Sequence, residues 1–306
     1  MALSDRRGFT LVELLISMTV GLVVVAASLS FAISTVRDVE GNKLREEVYR
    51  NGRFIGMSLR RDLQTVGVGI ESQRDFGTLH TFGDTLMILH VPFEPTMAPA
   101  HQMWPPPSSP NPLPPGGTCG ALCLDLEYDA FGNFDFAPGD LARLQSATQR
   151  RLILITAVRD VGTRFQIEFL GDTTFMNHRA AFAGGLQLDR SGTSVQKLQP
   201  IVYFEQDSTL FRAQSFDSAG VMEAATLAEG VVDWDTFLLF TDGDTATAGS
   251  HMDADLTNDF DDLLGTLIRA RVATTRFDIR VQDGGVFFRD FEWAVMPRNL
   301  MYERNR

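Results

Sequence analysis

The sequence predicts an α+β protein, with one long N-terminal helix packed on an antiparallel, β-rich globular domain. Three observations predict it. Residues 9–33 are predominantly apolar and carry a single charge, Glu13. Past residue 33, apolar residues recur mostly at three- or four-residue steps among Arg, Glu and Asp, the pattern of an amphipathic helix. From residue 67 onward short apolar or alternating runs follow one another between turn residues, the pattern of strands.

The apolar run is 25 residues long. As a helix it measures about 37 Å, enough to cross a hydrocarbon core of about 30 Å with some tilt. Arg6 and Arg7 stand immediately before it, which holds the N-terminus in the cytoplasm and sends the rest outward. A secretory signal has an apolar region of only about 7–15 residues and a small-residue cleavage site, so the run is too long for one. Residues 34–66 continue the helix through Val36, Val39, Leu44, Val48, Ile55, Leu59, Leu63 and Val66. Gly41 and Asn51-Gly52 are expected to bend or break it. Unbroken, residues 9–66 would extend about 87 Å, embedded in a membrane at first and packed on the soluble domain thereafter.

Gly8-Phe9-Thr10-Leu11-Val12-Glu13, with Arg6-Arg7 before it, resembles the processing motif of type IV prepilins. The resemblance implies cleavage between Gly8 and Phe9 by prepilin peptidase, N-methylation of Phe9, and a role for Glu13 in assembly. It makes residues 1–8 a leader, 9–33 a transmembrane and assembly helix, and 67–306 a periplasmic domain. Physical chemistry agrees, because a carboxylate inside a membrane helix is costly unless it reaches water or a partner. The new Phe9 amine of an assembling neighbour would be such a partner. The alternative is that Glu13, one turn into the span, only reaches the cytoplasmic interface.

Residues 50–70 resemble the corresponding helix end in PilW-type minor pilins. The hairpin expected at 201–212, with its Tyr203…Leu210-x-Arg212 pattern, resembles that of minor pilins and of larger type II secretion pseudopilins. Met296-Pro-Arg-Asn-Leu300 resembles a PilW-type ending. Further strands are expected at 85–91, 121–128, 151–158 and 164–170, the last two paired. Residues 268–281 and 286–295 are expected to complete the sheet. The 240 residues after position 66 suffice for a core, as one elaborated sheet or two lobes.

Ten of the 13 prolines fall between Pro92 and Pro115, so 92–117 is expected as a surface loop with polyproline II character. Cys119 and Cys123 follow it. In a periplasmic domain a small structural disulfide is the favoured reading, against free thiols or metal or redox chemistry. Seven aspartates and no Lys or Arg lie in the loop 241–262. Asp242 and Asp244 are a candidate calcium pair, but Ala246 stands where a third ligand belongs. A solvated acidic loop is the plainer reading, and no cofactor is expected.

The histidines (His80, His90, His101, His178, His251) lack metalloprotease spacing, and no nucleophile elbow, Walker loop or dinucleotide fingerprint is present. Nothing points to an enzyme. Net charge is −12, with 18 basic and 32 acidic residues in 67–306, which argues against direct nucleic-acid binding. The resemblance implies a minor pilin that primes or caps a pilus, with other minor pilins, the major pilin and an inner-membrane assembly platform as partners. A type II secretion pseudopilin and a tip adhesin are the rival readings.

Overall fold

Thr10 opens a helix, α1 (Leu11–Leu63), that runs without interruption for 53 residues, about 80 Å. The computed structural model describes residues 10–70, 76–91, 100–104, 119, 122–129, 132–146, 150–170, 192–247, 259–275 and 285–300. Neither Gly41 nor Asn51-Gly52 breaks α1. Its packing starts later than the apolar pattern predicts. Val36 and Val39 are exposed, and burial begins at Val48 and continues through Ile55, Leu59 and Leu63.

In chain order the strands are β1 (Leu79–Phe82), β2 (Thr85–His90), β3 (His101–Gln102), β4 (Cys123–Leu126), β5 (Leu141–Gln145), β6 (Arg150–Asp160) and β7 (Phe165–Leu170). There follow β8 (Ser194–Gln206), β9 (Thr209–Phe216), β10 (Met222–Glu229), β11 (Val231–Phe240), β12 (Thr245–Ala246), β13 (Leu263–Ala273) and β14 (Phe288–Val295). All described pairings are antiparallel.

Three layers result. The first is β1-β2-β8-β9-β10. Its central hairpin turns through Asp207 and Ser208, with φ of 52° and 57°, a two-residue turn whose twist matches that of its strands. The second layer is a closed barrel, β8-β5-β6-β7-β4-β3. A Met103–Leu126 bridge closes it, with Trp104 N donating to Asp125 O and Glu127 N to Gln102 O. The third is β12-β11-β13-β14.

Strand β8 belongs to two layers: its first residues pair with β5 and its later ones with β2 and β9. The first ten strands are thus hydrogen-bonded into one sheet through β8, and β11–β14 form a second. Met103, Phe136, Phe165 and Phe169 help fill the barrel interior. One face of β2 (Leu86, Ile88) packs with α1 and the other (Met87, Leu89) against Leu152 and Leu154 of β6. Burial on both faces explains why β2 reads as an unbroken apolar run.

Three expectations are corrected. The strands near 268–281 and 286–295 do not extend the first sheet; β13 and β14 join β11 in a separate one, because their apolar faces cover α1. Residues 276–284 lie outside the described residues. The stretch 92–117 is not only a loop, since it contains the barrel-closing β3. Loop 241–262 contains β12 and a 3₁₀ turn at Phe260–Asp262.

Candidate assembly site

Gly8 and Phe9 lie outside the described residues; Thr10 and Glu13 mark the start of the site. Glu13 N donates to Thr10 Oγ1 at 3.3 Å, and Thr10 N donates to Glu13 Oε2 at 3.2 Å. Thr10 Oγ1 also donates to Glu13 Oε2, at 3.1 Å. This reciprocal cap satisfies two helix-terminal N–H groups and holds a carboxylate at the positive end of the helix dipole. The membrane Glu therefore has a local role that its residue type alone does not reveal.

From Leu11 to Val39 the apolar side chains of α1 are exposed. The helix is long and apolar enough to cross a membrane. An exposed surface of this extent requires lipid or other helices around it.

The far end of α1 is fastened to the domain by two sequence segments that are remote from each other, the β8–β9 hairpin and residues 299–300. Asp62, buried in the last turn, accepts from Arg212 Nε of β9 at 2.6 Å and from Tyr203 Oη of β8 at 2.5 Å. Arg61 Nε adds a contact at 3.0 Å, and Ser58 Oγ lies 3.1 Å from Tyr203 Oη. Burial alone would raise the Asp62 carboxyl, but hydrogen bonds from Arg212, Tyr203 and Arg61 outweigh it and hold the group below the usual carboxylate range. Burial, reinforced by Asp62, drives the Tyr203 hydroxyl well above its ordinary value.

Asn299 Nδ2 donates to Val66 O at 2.9 Å, and Leu300 enters the core beside α1. The Tyr203…Leu210-x-Arg212 pattern and the Met296–Leu300 ending thus meet at the end of the helix. Sequence reasoning noted each piece but not their convergence. The available signal was a set of polar residues (Asp62, Tyr203, Arg212) inside otherwise apolar patterns.

Cys119 and Cys123 form a disulfide, with Cα atoms 5.2 Å apart, at the entry to β4. Asp244 N donates to Asp242 Oδ1 at 2.9 Å, so the Asp242 carboxylate braces its own turn. Among the described residues no group of three or more His, Cys, Asp or Glu is placed to hold a metal. His80 and His101 are buried and bonded to the carbonyls of Gly77 and Glu127. His178 and His251 lie outside the described residues.

A long exposed helix fastened at one end to a β-domain defines a helix-anchored, membrane-associated class of protein. Residues 3–29 match the prokaryotic N-terminal methylation motif. No curated protein matches the chain. Motif and architecture together support a type IV pilin-like protein, of pilin or pseudopilin type. The motif indicates a structural protein and implies processing by prepilin peptidase and assembly with other pilins.

Proposed function

We propose that the chain is a PilW-type minor pilin, cleaved between Gly8 and Phe9, methylated on Phe9, and incorporated through α1 to prime or cap a pilus. One observation carries the reading: α1 is exposed and apolar over its first half and fastened by Asp62 over its second. In the membrane that surface is solvated by lipid, with the N-terminus cytoplasmic and the domain periplasmic. It leaves the bilayer only where similar helices replace the lipid. Glu13 guides the exchange, because a neighbour's Phe9 amine competes with Thr10 for the same carboxylate.

The closed barrel favours a second reading, an elaborated head displayed at the tip as an adhesin. A type II secretion pseudopilin shares the motif and the helix. Mass spectrometry of the N-terminus from isolated membranes and sheared fibres tests the main proposal. A chain beginning at methylated Phe9 and present in fibres is expected; retained Met1, or a cut near residues 28–34, rejects it. Co-purification with pseudopilins in place of minor pilins would favour the secretion reading.

A further inference from the structure

The outward face of α1 alongside the domain is unlike a solvated helix face. Arg50, Arg53, Phe54, Met57, Arg60 and Arg61 are all exposed and follow three- and four-residue steps. They form one stripe about 16 Å long, opposite the buried face of Val48, Ile55 and Leu59. Phe54 is 49% and Met57 64% exposed. They border a groove completed by residues 225–227 of β10. Four arginines and no acidic residue lie between positions 48 and 61. Exposed Phe and Met framed by Arg is the composition of a protein interface rather than of a wet surface.

A complementary surface exists on the same chain. The outer face of the β11-β13-β14 sheet carries Asp233 and Asp235 on one strand and Asp290 and Glu292 on another. Arg271 and Arg269 lie between them, 2.7 Å from Asp290 and 2.8 Å from Glu292. These pairs neutralise the β14 carboxylates. Asp233 and Asp235, opposite Arg271 and Arg269 in register, leave the face net negative. The inner face of this sheet covers α1, so the acidic face looks outward on one side of the helix–sheet layer and the arginine stripe on the other.

We propose that the arginine stripe of α1 docks on the acidic β11-β13-β14 face of a second copy of this chain, a contact that rests on the pilin reading. Because the two surfaces differ and face apart, the contact is head-to-tail and leaves a free patch at each end, the geometry that generates filaments rather than closed dimers. Phe54 and Met57 supply apolar area, and the charges set register and encounter rate. Anionic lipid is out of reach. Arg50 stands about 26 Å along the helix from residue 33, beyond a screening length of about 8 Å. The surrounding domain, net −14 over residues 67–306, repels a phosphate polymer.

Two full-length copies bearing different tags, co-expressed and co-purified from detergent-solubilised membranes, test the contact. R50E/R53E in both copies should lower capture by about tenfold or more, as should D233R/D235R, and all four changes together should restore it to within about twofold. Capture insensitive to R50E/R53E overturns the proposal, as does failure of the fourfold variant to restore it while circular dichroism is unchanged. Recovery of a different subunit in place of the second copy, or competition by duplex DNA at ~150 mM salt, also overturns it. The N-terminal mass of the same samples separates the two ideas. A methyl-Phe9 end with charge-insensitive capture rejects only the docking, whereas retained Met1 rejects the pilin reading itself.

Discussion

The ring of Phe291 on β14 lies directly over Gly52 of α1, where any Cβ would collide with it. Trp293 occupies the same position over Gly56, and the two rings stack with centroids 5.7 Å apart and planes 5° from parallel. Four helical residues advance about 6.0 Å and two strand residues about 6.6 Å. Glycines at i and i+4 therefore match aromatics at j and j+2. Gly52, which reads as a weak point in the helix, and Gly56 are the recesses that let β14 approach it.

Gly52→Ala tests this contact. In an exposed helix the change would stabilise by about 1 kcal/mol. Here overpacking against Phe291 should destabilise by about 1–3 kcal/mol, seen as a lower urea midpoint at unchanged slope. Adding Phe291→Ala should make the Gly52→Ala effect smaller. Equal effects in both backgrounds would show that the ring does not press on the helix.

Breaking the Asp62–Arg212 pair should cost more. Arg212→Ala leaves a buried carboxylate facing only Tyr203 and Arg61, at a cost of about 3–5 kcal/mol. The pH dependence follows from the directions of the shifts. Asp62 is depressed in the folded state, so its stabilisation is complete above the ordinary carboxylate value of about 3.9 and fades as pH falls through the depressed value. Tyr203 is raised, so its contribution is complete below about 10 and is lost as pH rises toward its folded value. Thermal melts from pH 3 to 11 should lose these two flanks in Asp62→Asn and Tyr203→Phe respectively.

Glu13→Ala removes the carboxylate half of the reciprocal cap, while the backbone N of residue 13 still donates to Thr10 Oγ1. Membrane insertion should be intact or improved, since a carboxylate leaves the apolar span. Fibre incorporation should fall. Normal pilus numbers, counted by electron microscopy in a strain carrying only this variant, would remove Glu13 from assembly.

Duplex DNA should not bind. Gel-shift titrations of the full-length chain in detergent, at ~50 mM and ~200 mM salt, should show no micromolar complex. A complex that collapses with salt would reveal a phosphate-reading patch, with the arginines of α1 the first suspects.

Local chemistry was enough to predict the helix, because apolar length and three- to four-residue periodicity both act within a few turns. The β8–β9 hairpin was equally legible, since Asp207-Ser208 is a turn and the flanking strands are its immediate neighbours. Strands β6 and β7 pair as their spacing predicts, for the same reason.

What only the tertiary structure decided are relationships across long separations. Nothing near His101 announces that two residues within a proline-rich stretch close a barrel by pairing with Val195 and, through Met103, reaching Leu126. Whether Gly52 is a flaw or a recess depends on Phe291, 239 positions away. Asp62, Tyr203, Arg212 and Asn299 become one junction only when the sheet folds onto the end of the helix. Side-chain period and turn residues are properties of neighbours in sequence. Partners in a buried ion pair or a barrel seam are selected by the packing of the whole domain, and no local pattern carries that information.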